Sequence, residues 1–144
     1  MAYLLTYDGY MREGYLEEIC PSAILFMQCG LKDCALEFRR FYETAMPTLE
    51  AGDEIVPAVI WKIEETDLKN MELVYPSEIY EREVWNFRTE KNVLEVTVFL
   101  MKETPFAFPK ENEVEAMEEA YAEHSFDYSC VENALDRAKD REGE

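Results

Sequence analysis

The stretch Ile55-Val56-Pro57-Ala58-Val59-Ile60-Trp61-Lys62-Ile63 decides how this chain is read. Val56, Ala58 and Ile60 point to one side of an extended segment, and Val59, Trp61 and Ile63 to the other, so both faces are apolar. Such a run is a strand buried on two sides, and therefore a central strand of a layered or closed sheet. Pro57 removes a ladder donor, so the start of the strand is expected at an edge or a bulge.

Upstream, Ala2 to Tyr7 is short and apolar and runs into Asp8-Gly9, a dipeptide that turns the chain after a strand. Tyr15, Leu16 and Ile19 share one face of a short helix that should stop before Pro21. Ser22 to Gln28 reads as a buried strand, and after a break at Cys29-Gly30 the alternation in Ala35 to Phe41 predicts a second, half-exposed strand. Small, polar and proline residues between Tyr42 and Asp53 suggest a loop.

Downstream, Thr66 is a candidate N-cap for a short helix from Asp67 to Leu73. Tyr80 to Phe87 and Val93 to Met101 are rich in β-branched and aromatic residues and flank Thr89 to Asn92, which predicts a hairpin. Lys110 to Glu123 and Ser129 to Arg141 are the clearest helices. Residues 1–139 then form one domain, with 140–144 a frayed polar tail. Roughly six strands and four helices sharing one core make an α+β layered or barrel domain.

Charge and cysteine usage narrow the partners. With 32 acidic against 14 basic side chains the net charge is -18, a field that repels nucleic acid and anionic membrane surfaces. No segment reaches the ~20 apolar residues of a membrane span. Cys20, Cys29, Cys34 and Cys130 contain no CxxC pair, and His124 is the one histidine, so no zinc site and no metal cofactor are expected. Cytoplasmic location with reduced thiols follows as the expectation. Cys34 and His124 carry no local signature of a nucleophile and its base.

Several blocks in order resemble the γ-glutamyl cyclotransferase family, which includes AIG2-like domains. Tyr3-Leu4-Leu5-Thr6-Tyr7-Asp8-Gly9-Tyr10-Met11 is similar to its Tyr-x-x-Tyr-Gly-Ser-Asn-Met strand and turn, and Cys20-Pro21-Ser22-Ala23 to its CPSA segment. Leu36 to Phe41 and Val59 to Ile63 resemble its next two strands, and Tyr75-Pro76-Ser77-Glu78-Ile79-Tyr80-Glu81-Arg82 its P-x-x-Y-x-R run. Thr66 to Leu73 looks like the region carrying the family's catalytic glutamate, in a register that puts Glu72 at that position; a register with Leu73 there leaves no carboxylate.

The resemblance implies a mixed β-barrel with surrounding helices, acting in cytoplasmic glutathione-type metabolism as monomer or homodimer on a small γ-glutamyl compound without cofactor. The implied reaction is acyl transfer within the substrate: the free α-amine attacks the γ-carbonyl, releasing 5-oxoproline and an amine. It needs a base for the ammonium proton and donors for the developing oxyanion. By resemblance Glu72 is the general acid/base, while Tyr7, Asp8, Gly9, Tyr10, Met11 and Tyr80 bind substrate. Each also has a plainer reading: Glu72 as a surface residue of an acidic helix, the turn after Tyr7 as an ordinary strand end, Tyr80 as core. The family's Gly-Ser-Asn is here Asp8-Gly9-Tyr10, which brings a carboxylate into the turn. A catalytically inactive member that keeps the pocket for a small ligand or a protein partner is the alternative.

Overall fold

A computed structural model describes residues 1–144. The elements in chain order are β1 (Ala2–Thr6), a 3-10 turn (Gly9–Met11), α1 (Glu13–Ile19), β2 (Ile24–Phe41), β3 (Thr44–Ala51) and β4 (Glu54–Ile63). They are followed by α2 (Glu65–Asn70) with a second 3-10 turn (Met71–Leu73), β5 (Tyr80–Arg88), β6 (Val93–Met101), α3 (Glu111–Glu123) and α4 (Ser129–Arg141). All six strands form one mixed sheet in the order β3-β2-β4-β1-β6-β5, in which only β1 and β6 run parallel. This is the α+β architecture expected from the sequence.

β4 lies inside the sheet, and Val56, Ala58, Val59, Ile60, Trp61 and Ile63 are all fully buried. Trp61 keeps its indole N–H satisfied by donating to Thr6 Oγ1 at 2.8 Å. Pro57 is tolerated because β1 pairs only from Val59 onward, so beside Pro57 the strand has a neighbour on the β2 side alone. The sheet curls until its two halves meet: Met101 N–H in β6 donates to Thr48 Oγ1 in β3 at 2.9 Å. Tyr7, Tyr80 and Phe99 lie buried in the core.

Four local expectations are corrected. Ser22 to Gln28 and Ala35 to Phe41 fall on one 18-residue strand, β2, which passes the expected break at Cys29-Gly30 and is irregular instead between Leu25 and Met27 and between Leu31 and Cys34. Its start is not buried, since Ile24, Leu25 and Phe26 are exposed, whereas Leu36 and Phe38 near its end are fully buried. The expected loop at Tyr42 to Asp53 is β3, an edge strand where the N–H that Pro47 lacks has no ladder to serve. Residues 140–144 are tied down as well: Gly143 N–H donates to Phe106 O at 2.9 Å, and Phe106 N–H to Glu144 O at 2.9 Å.

The fourth correction concerns the start of α2. Glu64, not Thr66, precedes its first residue, and no side chain of its own caps it. Ser22 serves instead: its Oγ accepts from Glu64 N–H at 3.0 Å, and its own N–H donates to the Asp67 carboxylate at 2.8 Å. The Cys20-Pro21-Ser22-Ala23 segment thus fastens the first turn of α2 to the start of β2.

Candidate functional site

β1 ends at Thr6, and the chain leaves the sheet through Tyr7 and Asp8 into the first 3-10 turn. Asp8 starts that turn because its Oδ1 accepts from the Tyr10 N–H at 3.0 Å, an arrangement that short acidic side chains favour. The same carboxyl group is completely buried. Its other oxygen, Oδ2, accepts from the Tyr75 hydroxyl at 2.6 Å. Burial pushes the Asp8 carboxyl above the usual carboxylate range, and the hydrogen bonds from Tyr75 and Tyr10 offset only part of that.

Aromatic rings close around this carboxyl. Tyr75 stacks on Phe99 with centroids 4.9 Å apart, meets Tyr80 at 4.8 Å and receives Tyr10 edge-on at 5.6 Å. Tyr7 donates its hydroxyl hydrogen to Phe99 O at 2.6 Å. The Tyr80 hydroxyl is buried and has no hydrogen-bond partner. Desolvation, followed by the negative field of Asp8, pushes the Tyr10 phenol up to about 12.

Two depressions border this aromatic cluster, the first at Tyr10 and the second at Tyr75, Tyr80 and Phe99. One, of about 390 Å³, is bordered by Gly9, Tyr10, Arg12, Phe41, Leu73 and Glu113. The other, of about 540 Å³, is bordered by Glu72, Tyr75, Glu78, Tyr80, Arg82 and Phe99. In the first, Arg12 donates through Nε to Gly9 O at 3.1 Å and through Nη1 to Glu119 at 2.5 Å, its guanidinium lies 3.3 Å from the centroid of the Tyr15 ring, and Nη2 has no hydrogen-bond partner. Glu113 on α3 stands nearby with its carboxyl raised by partial burial and lowered by Arg12. At Gly9 a Cβ would lie 3.4 Å from Ala116 Cβ, so glycine lets α3 approach the turn closely.

The sequence-nominated residues are therefore divided. Gly9 and Tyr10 border the first depression, whereas Tyr7, Asp8 and Met11 lie beneath the surface. Glu72 and Tyr80 border the second. Glu72 has a side chain 61% exposed, and its Oε1 is 3.9 Å from Arg82 Nη1. Tyr75, Arg12 and Glu113 complete the site and were not singled out from the sequence; a buried aspartate needs a donor, and that requirement was the signal for Tyr75. Met11 is fully buried and anchored, its carbonyl accepting from His124 Nε2 at 2.6 Å, while Gln28 Nε2 lies 3.1 Å from His124 Nδ1. That pairing occupies His124 away from Cys34, whose thiol donates to Lys32 O.

Among solved structures, one described as "Gamma-glutamyl cyclotransferase" superposes with a TM-score of 0.73 over 99% of this chain and 89% of its own, at 15% identity. The chain has the γ-glutamyl cyclotransferase fold. A second match carrying that superposition quality is a Homo sapiens protein described as uncharacterized, also with a TM-score of 0.73 and 15% identity, covering 99% of this chain and 89% of its own. YkqA from Bacillus subtilis matches with a TM-score of 0.70 and 13% identity over 96% of this chain and 54% of its own. No protein-family model matches the sequence, and no curated protein does. No helix is long and apolar enough to cross a membrane. In the cyclotransferase fold of this chain, Asp8 is the carboxyl group closed under the tyrosines, and Glu72 is the one open to water.

Proposed function

We propose that this protein is a divergent γ-glutamyl cyclotransferase-like domain that binds a small γ-glutamyl compound in the depression bordered by Tyr10, Arg12 and Glu113, and that it does so without chemistry at Glu72. One observation carries the reading: a cation with a free donor, Arg12, and a carboxylate, Glu113, border one aromatic cleft. A γ-glutamyl compound presents an α-carboxylate and an α-ammonium on the same carbon, which is the charge complement of that wall. Tyr10, Phe41 and Leu73 supply apolar surface for its methylene chain.

The second reading is cyclisation to 5-oxoproline with Glu72 as general acid/base. Glu72 and Tyr80 share one depression, which favours it. Proton transfer of this kind is served by a carboxylate in a dehydrated pocket, whereas Glu72 faces water beside Arg82.

Titration calorimetry with γ-glutamylalanine and γ-glutamylpropylamine, beside a 5-oxoproline release assay on the same samples, separates the two. Saturable binding without release above a protein-free control is the expected result. Absence of saturable binding overturns the reading, and release that disappears in Glu72→Gln establishes the second one.

A further inference from the structure

We infer that the cleft selects γ-glutamyl amines with an uncharged, apolar group on the amide nitrogen, and discriminates against γ-glutamyl amino acids and peptides because it has no second cation to offer. The inference deepens the proposed function and rests on the reading that a γ-glutamyl compound occupies this depression.

Charge sets the first limit. Arg12 is the one cation that borders the depression, and Glu113 is the one carboxylate. The α-carboxylate and α-ammonium of a γ-glutamyl group use both. A γ-glutamyl amino acid carries a further carboxylate next to the amide nitrogen, and Arg12 cannot serve two: Nε is engaged by Gly9 O, Nη1 by Glu119, and the guanidinium lies on the Tyr15 ring. Lys110 borders the adjoining depression and stands 3.7 Å from Glu43. Taking a carboxylate out of water without a cation beside it is strongly unfavourable. The remaining polar side chain on the border, Asn112, is neutral and suits the ligand's amide. The whole molecule acts in the same direction. A γ-glutamyl amino acid is a net anion meeting a chain of net charge -18, whereas a γ-glutamyl amine has no net charge.

Apolar surface sets the second limit. Beyond the charged wall the border is Phe41, Met46, Pro47, Leu73, Val74 and Met117. Leu73 is 82% exposed, more than any other large apolar side chain of the protein, and Tyr15, also on the border, is 51% exposed. The second 3-10 turn holds Leu73 out in this position, because its Met71 is buried in the core. An alkyl group on the amide nitrogen covers part of this surface and leaves water itself, a hydrophobic gain that a carboxylate at the same place forfeits.

The test is calorimetry on the parent with γ-glutamylethylamine and γ-glutamylalanine, which differ only by the carboxylate, followed by the butyl and hexyl amides. γ-Glutamylethylamine should bind at least about tenfold tighter than γ-glutamylalanine, and each added methylene should tighten binding by up to about fourfold until the cleft is filled. Leu73→Lys supplies the missing cation on an exposed turn and should shift the ratio of the two affinities several-fold toward γ-glutamylalanine. Met46→Ser should flatten the chain-length series.

A second measurement needs no variant. The methionine methyl resonances of the parent are followed by NMR as N-butylacetamide is added, a probe that has the apolar amide and lacks the glutamyl head; those of Met46 and Met117 should move. If γ-glutamylalanine binds as tightly as γ-glutamylethylamine, or affinity is flat along the series, the inference falls and the proposed function stands. If no γ-glutamyl probe binds but N-butylacetamide moves the Met46 and Met117 methyls, the proposed function falls and the apolar amide site stands. If neither happens, both fall.

Discussion

Tyr75 and Asp8 are 67 residues apart in the chain, and the 2.6 Å hydrogen bond between them joins the loop after the second 3-10 turn to the end of β1. It makes the most buried carboxyl of the site depend on a residue contributed by a different element, and its energetic consequences can be measured.

Stability should respond to pH through Asp8. Its carboxyl is raised in the folded protein, so the folded state holds that proton more tightly than the unfolded chain does. The stability contribution therefore falls as pH rises above the unfolded value of about 4 and levels off once the folded group has ionised. Asp8→Asn keeps an acceptor for the Tyr10 amide but cannot ionise. Relative to the parent, the variant should gain stability as the pH rises above about 4; an offset in thermal melts that stays constant with pH would show that Asp8 does not titrate there.

Glu72→Gln should leave the melting temperature almost unchanged. The ion pair with Arg82 spans 3.9 Å with both side chains exposed, a geometry whose contribution is at most about 1 kcal/mol. Binding of γ-glutamylpropylamine should also be unaffected, and a tenfold change in either direction would return Glu72 to the site.

Thr6→Val tests the polar pair inside the core. Trp61 is fully buried and its indole N–H has Thr6 Oγ1 as acceptor. The variant keeps the shape but strands that donor, at a cost of about 1–3 kcal/mol by chemical denaturation. No loss would mean that a water reaches the indole.

Two glycines should respond oppositely to alanine. At Gly52 a new Cβ would lie 2.6 Å from Ala35 Cβ and 3.1 Å from the Ala35 backbone nitrogen, so Gly52→Ala should destabilise by about 1–3 kcal/mol. Gly14 lies within α1 and nothing would touch its Cβ, so Gly14→Ala should stabilise by about 0.5–1 kcal/mol. Denaturation midpoints measured on both variants check the pair.

Legibility of the fold followed how much of each signal was local. β4, the β5–β6 hairpin, α3 and α4 carry their own periodicity, and the ordered blocks resembling the cyclotransferase family match the fold found. β3 escaped because Pro47 reads as a loop residue unless its edge position is known, and β2 was split because Cys29-Gly30 looks like a stop although the partner Ala58-Pro57 continues the ladder. At the site, the turn from Tyr7 to Met11 was legible as a feature that departs from the resembled pattern. That Asp8 would be sealed by Tyr75, while Glu72 faced water, depends on how the segment after α2 folds back over β1, and no local pattern encodes that.

The one parallel pairing in the sheet, β1 against β6 at Leu4 and Thr97, also bears on the order of events during folding. β2, β3 and β4 zip together antiparallel through short connections, whereas joining β1 to β6 closes a long stretch of chain, and the Tyr7 hydroxyl bond to Phe99 O spans 92 residues. Long closures are slow relative to local hairpins. Ligand-binding capacity during refolding should accordingly rise after tryptophan burial, which makes the cage around Asp8 a late product of the folding reaction and the first part of the molecule to be lost when β6 detaches.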